Sequence, residues 1–180
     1  MYPIVTHPYK FKNSHGWVGI SHCCVFDDGE GNWYYASQGR LPADVDGNAY
    51  SNAIMMGHVR SIRWTEDGWP VVMPERYGAV PQLPITEEEL VGTWEHIDLG
   101  YNYGKQKTSD YMGFGDSHKI TSGIWKDASW SYDADKQILT ANGVKLYLQR
   151  EVDWEANPRT HTIVYVGLNN KKTYWGKKCR

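Results

Sequence analysis

The sequence has no long apolar run: its hydrophobic stretches are strand-sized and broken by polar residues, and neither a secretory signal nor a transmembrane span is visible. It also has no charge excess, with 19 Lys and Arg against 21 Asp and Glu and a formal net charge of −2. The most basic stretch, NNKKTYWGKKCR, is short and mixed with aromatics. Binding to a nucleic acid duplex needs several clustered cations, so no nucleic acid and no membrane partner is expected. Only three cysteines are present, and Cys23 and Cys24 are adjacent. In a strand their side chains diverge, which makes a mutual bridge poor and leaves the redox compartment open.

Aromatics are abundant but unevenly distributed: nine Trp and thirteen Tyr stand beside three Phe. Such side chains suit half-buried β surfaces, where most of them serve as core or cross-strand pairs, and they also line wet clefts that take sugars. At 180 residues the chain has room for one ordinary domain or two small ones. Pro74, Pro81 and Pro84 precede a short acidic turn, Thr86 to Leu90, in which Thr86 and Glu89 have capping-box spacing. A boundary is therefore expected at about residue 85.

Before it, WVGISHCCVF, WYYASQGR, IMMGHVRSIRW and WPVVMP read as four strands separated by turn signals such as DDGEGN and TEDG. Four short antiparallel strands match one blade of a β-propeller, with the first strand buried and its cysteines acting as small packing residues. A blade alone exposes both faces and is hardly stable by itself. After the boundary, LVGTWEHIDL, HKITSGIWKDASWSYDA, QILTANGVKLYLQREVDW, THTIVYVGL and KTYWGKK read as strands of a small barrel or sandwich. Asn142-Gly143 marks a hairpin, with Val144, Leu146 and Leu148 alternating beyond it. The chain is thus all-β.

Candidate chemistry is sparse. His22 and Cys24 share a strand face, but no third group orients a nucleophile. No C-x2-C or H-E-x-x-H pattern occurs; His15, His22 and His58 are each able to ligate an ion, although a lone His is more often structural. Most carboxylates fall in turns, and Glu75 and Glu95 have no evident partner, so no acid/base pair emerges and no catalytic residue is assigned.

GWVGISHCCVF, NWYYASQGR and MGHVRSIRWTEDGWPVVMPERYG resemble the closing part of the five-bladed catalytic propeller of glycoside hydrolase family 43 endo-α-1,5-L-arabinanases, and the string Trp64 to Tyr77 is long and specific. The second region, with LVGTWE early and TYWGKK late, is similar to the lipocalin-like β-barrel that follows the propeller in many of these enzymes. The resemblance implies residues 1–85 as the last blade and residues 86–180 as the accessory barrel. It implies inverting hydrolysis of arabinan by a parent enzyme that is secreted, periplasmic or on the cell surface. The general-base Asp, general-acid Glu and a further Asp come from upstream blades, which are the expected partners, in the same precursor or a second chain. MYPIVTHPYKF opens mid-pattern, which fits the chain being a piece of something larger. By the same resemblance His22 binds a central ion, usually calcium, largely through waters. Arg40 lies near where the family's motif has its Arg and is expected first to tie loops to a carboxylate and second to face substrate. Trp64 and Trp69 are expected to pack between strands. The alternative is a non-catalytic carbohydrate-binding or structural barrel.

Overall fold

A computed structural model describes residues 8–100, 106–169 and 172–180. The opening stretch through His7, and Asn170 and Lys171 of the basic cluster, lie outside the described residues. A short strand β1 (Tyr9–Lys10) leads into an antiparallel meander of β2 (Val18–Asp27), β3 (Trp33–Arg40), β4 (Met56–Trp64) and β5 (Pro70–Val72), in that spatial order. The turns are those the sequence signals: Gly68 donates to the Thr65 carbonyl (2.8 Å), and the Asp27 and Asp28 carboxylates accept from the Gly29 and Glu30 amides (2.9 Å each).

A single 3-10 turn (Glu88–Leu90) then starts the second unit, and the Thr86 amide donates to the Glu89 carboxylate (3.0 Å), half of the expected box. The remaining strands are β6 (Gly92–Asp98), β7 (Lys107–Thr108), β8 (Asp110–Phe114), β9 (Ile120–Ser122), β10 (Trp130–Asp133), β11 (Ile138–Ala141), β12 (Val144–Asp153), β13 (Thr160–Asn169) and β14 (Lys172–Lys178). Eight of them form one antiparallel sheet ordered β10-β11-β12-β13-β14-β6-β8-β9. A bridge between Lys119 and Ser129 nearly joins its two ends, so the sheet curls into a barrel. The stretch read as one strand from His118 to Ala134 is in fact two, because a turn from Gly123 to Asp127, both at positive φ, interrupts it. Asn142 (φ 49°) and Gly143 (φ 74°) form the tight hairpin between β11 and β12, the type that requires left-handed backbone at both positions.

Strand alternation sorts the barrel residues onto two cores. Val144, Leu146 and Leu148 of β12, Ile163 and Tyr165 of β13 and Trp94 of β6 point inward, with Phe114 and Trp130, and fill the barrel. Trp94 is fully buried and its indole N–H donates to the Leu90 carbonyl (2.8 Å). The intervening residues Tyr147, Val164, Val166, Ile97 and Trp175 point outward and pack on Ile62, Val71, Val72 and Met73 of the meander and on Tyr9, Phe11 and Trp17. The Trp175 indole N–H donates to the Val72 carbonyl (2.8 Å) across this junction. The short parallel pair of β1 and β7 ties the start of the chain to the barrel as well. The meander is therefore not a bare sheet: the barrel covers one side of it. Among the described residues no helix is long and apolar enough to cross a membrane.

Candidate functional site

The first candidate is the free edge of the meander, β2. Its residues from Ser21 to Asp27 are all exposed, Cys23 and Cys24 included. The expectation of a buried strand with packed cysteines is corrected: β2 has a hydrogen-bonded neighbour on one side only, and that side is β3. The β2–β3 ladder slips twice, between Val18 and Ser21 and between Ser21 and Cys24. His22 sits in the second slip with φ of 47°, a left-handed value that a non-glycine residue rarely adopts. Its ring lies 3.5 Å from the Ser21 hydroxyl, which accepts from the Gln38 amide (2.9 Å). The bulge thus turns an exposed imidazole away from the regular ladder. One imidazole beside one hydroxyl is a partial donor set for a hard cation, whose ligands are mainly oxygens.

Arg40 stands at the end of β3, and its guanidinium crosses Gly19, where an added Cβ would lie 2.9 Å from Nε. Nε is buried and its N–H donates to no partner, and no carboxylate pairs with Arg40 among the described residues. Within this chain the side chain packs across Gly19. Trp64 and Trp69 also depart from expectation. They are 44% and 49% exposed, because Trp64 closes β4 and Trp69 sits in the turn before β5; Trp64 still packs edge-on to Trp33 of β3.

The second candidate was not visible in the sequence. Glu75, just after β5, meets Asp153 and Glu155 from the end of β12 and the following turn, with one oxygen of each within 4.8 Å of the others. Three acidic side chains so close are able to hold a cation, and here the Lys177 ammonium of β14 donates to all three, at 2.9 Å each. The same ammonium lies 4.4 Å from the centre of the Phe11 ring. Lys177 and Glu75 side chains are 5% and 3% exposed. Burial opposes the charge on Lys177, but Glu75, Glu155 and Asp153 outweigh it and raise its pKa. Burial and then Glu155 push Glu75 well above the usual carboxylate range. Burial also opposes charge on Glu155, but the Glu75 hydrogen bond and Lys177 hold its pKa down. The cluster is an internal ion network in which Lys177 takes the place of a metal, and it joins the meander to the barrel.

Other buried carboxylates are similarly committed. Glu95 accepts from the Lys12 amide and the Ser109 hydroxyl (short contacts), and Glu151 accepts from the Gly78 and Val152 amides (2.8 Å each). Inside the barrel, His96 pairs through Nδ1 with the Tyr165 hydroxyl (2.6 Å) between the Trp125 and Tyr174 rings. Burial pulls its pKa down to about 4.

Residues 74–176, more than half of the chain, match the family described as the C-terminal lipocalin-like domain of glycoside hydrolase family 43. No curated protein matches the sequence. Among solved structures, the chain is similar to the family 43 glycoside hydrolase YxiA from Bacillus licheniformis, with 20% identity and a TM-score of 0.78 over 96% of this chain and 38% of that one. It is also similar to the endo-1,5-alpha-L-arabinanase of Thermotoga petrophila RKU-1 in complex with Tris, with 20% identity and a TM-score of 0.79 over 96% of this chain and 39% of that one. A second structure of that arabinanase gives 21% identity and a TM-score of 0.76 over 93% and 37%. The chain thus spans less than two fifths of the length of these structures, and at such identity the likeness is one of fold. On the family match, the chain belongs to the glycoside hydrolase family 43 C-terminal lipocalin-like domain family.

Proposed function

We propose that the chain is the closing portion of an inverting, arabinan-degrading glycoside hydrolase, in which residues 1–85 form the last propeller blade and residues 86–180 the accessory barrel. The observation that carries this reading is the asymmetry of the four-stranded meander. One side is fused to the barrel through a shared core, while β2 leaves an unpaired edge and Val25, Phe26, Ile54, Met55 and Val59 stay 38–66% exposed. An apolar surface of this kind marks an interaction site, and the upstream blades are the partner this reading supplies.

In such an assembly the acid and base carboxyls of an inverting hydrolase stand roughly 6.5–9.5 Å apart with water between them. Here the buried carboxylates are committed to Lys177, to Ser109 or to backbone amides, so the reading assigns the catalytic Asp and Glu to upstream blades. His22 is the side chain that this chain offers toward a central ion, calcium by the family resemblance. A dication beside the catalytic carboxylates favours their ionised forms. His22 would orient that ion through its water shell, and the bulge at Ser21 and His22 presents the ring for this. Arg40, packed on Gly19, shapes the end of the same strand pair and faces arabinan only secondarily. The parent enzyme acts on a polymer outside the cytoplasm, whether secreted, periplasmic or surface-bound.

The alternative, a barrel that holds a carbohydrate in its interior, is disfavoured because Trp94, Phe114, Trp130, Tyr165 and their neighbours fill that space. The barrel acts as a buttress. The test is a fusion of four upstream family 43 blades to this chain, assayed on linear arabinan. His22→Ala should lower the rate and blunt its response to chelator. An unchanged rate with an unchanged chelator response refutes the ion-ligand role.

A further inference from the structure

A groove of about 970 Å3 runs between the meander and the barrel, and none of the roles above uses it. Trp33, Tyr34, Trp64 and Tyr77 line it. The rings brace one another, Trp33 edge-on to Trp64 at 5.5 Å and Tyr34 edge-on to Tyr77 at 5.1 Å, yet Trp64 and Tyr77 remain 44% and 41% exposed. Held rings with bare faces are apolar platforms with little conformational entropy to lose on binding.

Beside them lies an unusual cation. Arg63 donates from Nη1 to the Leu148 carbonyl (2.9 Å), pairs with no carboxylate among the described residues, and is half-buried. A guanidinium has five N–H donors, and those of Arg63 that make no bond within the protein open to solvent, where a ligand in the groove is able to accept from them. Gln149, itself buried, donates to the Ser61 hydroxyl (3.0 Å), and its amide oxygen accepts no bond among the described residues. Both contacts cross from β4 to β12, so meander and barrel together fix the polar groups in place. Asp135 is the other charged residue of the lining, so the groove carries one positive and one negative group. That balance favours a neutral ligand rich in hydroxyls. The volume is near the upper end of ordinary ligand sites, roughly 300–1,000 Å3, which leaves room for several sugar units.

We propose that this groove is a non-catalytic subsite for a neutral oligosaccharide, with Trp64 and Tyr77 against sugar C–H faces, Arg63 donating to ring and hydroxyl oxygens and the Gln149 amide oxygen accepting from a sugar hydroxyl. Trp33 pairs with Asp27, five positions along β2 from His22, which is roughly 16 Å at strand rise. The groove is thus separate from the ion position. In the parent enzyme it grips the polymer away from the point of cleavage, a role that rests on the arabinan reading above.

The test is a titration of the isotope-labelled 180-residue chain with linear α-1,5-arabinohexaose, followed by NMR of the Trp indole and Arg Nε–H signals. Saturable shifts of Trp33, Trp64 and Arg63 are expected, and Trp64→Ala or Arg63→Met should weaken binding about tenfold or more. Trp69→Ala, outside the groove, should bind as the wild type does. No saturable shift up to about 10 mM, or shifts confined to the His22 end of β2, overturn the proposal. The wild-type shift map decides the matter even where a variant fails to fold. Response to xylohexaose but not to arabinohexaose supports the subsite and counts against the arabinan reading; hydrolysis by the fused enzyme with no shifts in the groove does the reverse.

Discussion

Replacing Lys177 by Met removes the one cation from a buried cluster of three carboxylates while keeping the length of the side chain. The ammonium makes three contacts of 2.9 Å, and it and Glu75 are nearly inaccessible to water. Breaking a buried pair from one side leaves an uncompensated charge and costs about 3–5 kcal/mol. Loss of the contact with Phe11 adds to this. The cost should depend on pH in a definite direction. In the wild type, Glu155 has a lowered pKa, so its contribution is present above the unfolded value and is lost as pH falls through the folded one. In the variant the carboxylate charges of the cluster lose their counter-ion, their pKa values rise, and protonation relieves the strain as pH falls. The stability gap between the two proteins should therefore narrow from pH 7 to pH 4. Urea unfolding followed by Trp fluorescence reads both effects, with the slope showing whether meander and barrel still unfold together. Lys177→Met with Glu75→Gln should recover part of the loss. A Lys177→Met protein within about 1 kcal/mol of the wild type at pH 7 refutes the reasoning, since a buried pair broken from one side costs more than that.

Two further outcomes test other parts of the fold. His96→Gln should be less stable at pH 7 by about 1–3 kcal/mol, the cost of a weakened buried hydrogen bond to Tyr165. With the His96 pKa at about 4 in the folded chain and 6.5 unfolded, wild-type stability is full above pH 6.5 and falls as pH drops toward 4, so that gap should shrink by about 2 kcal/mol between pH 7 and pH 5. A gap that does not change with pH would show that His96 is not held neutral. At the β11–β12 hairpin, Gly143→Ala meets open space but keeps φ of 74°, so it should cost about 1 kcal/mol through backbone strain alone. Thermal unfolding checks this, and no change in Tm would remove the left-handed requirement.

Local chemistry was legible in the sequence wherever a short segment decides its own shape. The Asn142-Gly143 hairpin, the Thr65–Gly68 turn, and the alternation of Val144, Leu146 and Leu148 all appear as read. What stayed hidden depends on partners far away in sequence. Lys177 and Glu75 are 102 positions apart, and nothing near either residue announces the other. The parallel pairing of β1 with β7 joins segments separated by about a hundred positions through only two residue pairs, too few to leave a periodic signal. WVGISHCCVF looked buried because its residue types suit a core, but burial is decided by neighbours, and β2 has one only on its β3 side. The same reasoning applies to Trp64 and Trp69: aromatic identity suggested packing, and their place at the β4–β5 turn leaves them half bare. His22 lay within reach of the sequence as a residue type, whereas the bulge and positive φ that present it did not.

The central claim is that this chain completes a hydrolase whose acid and base lie on other blades. The most direct measurement is release of arabino-oligosaccharides from linear arabinan by the purified 180-residue chain, alone and joined to upstream family 43 blades. The account predicts no release by the chain alone and clear release by the joined protein. Sustained release by the chain alone, or none from a folded joined protein, contradicts it.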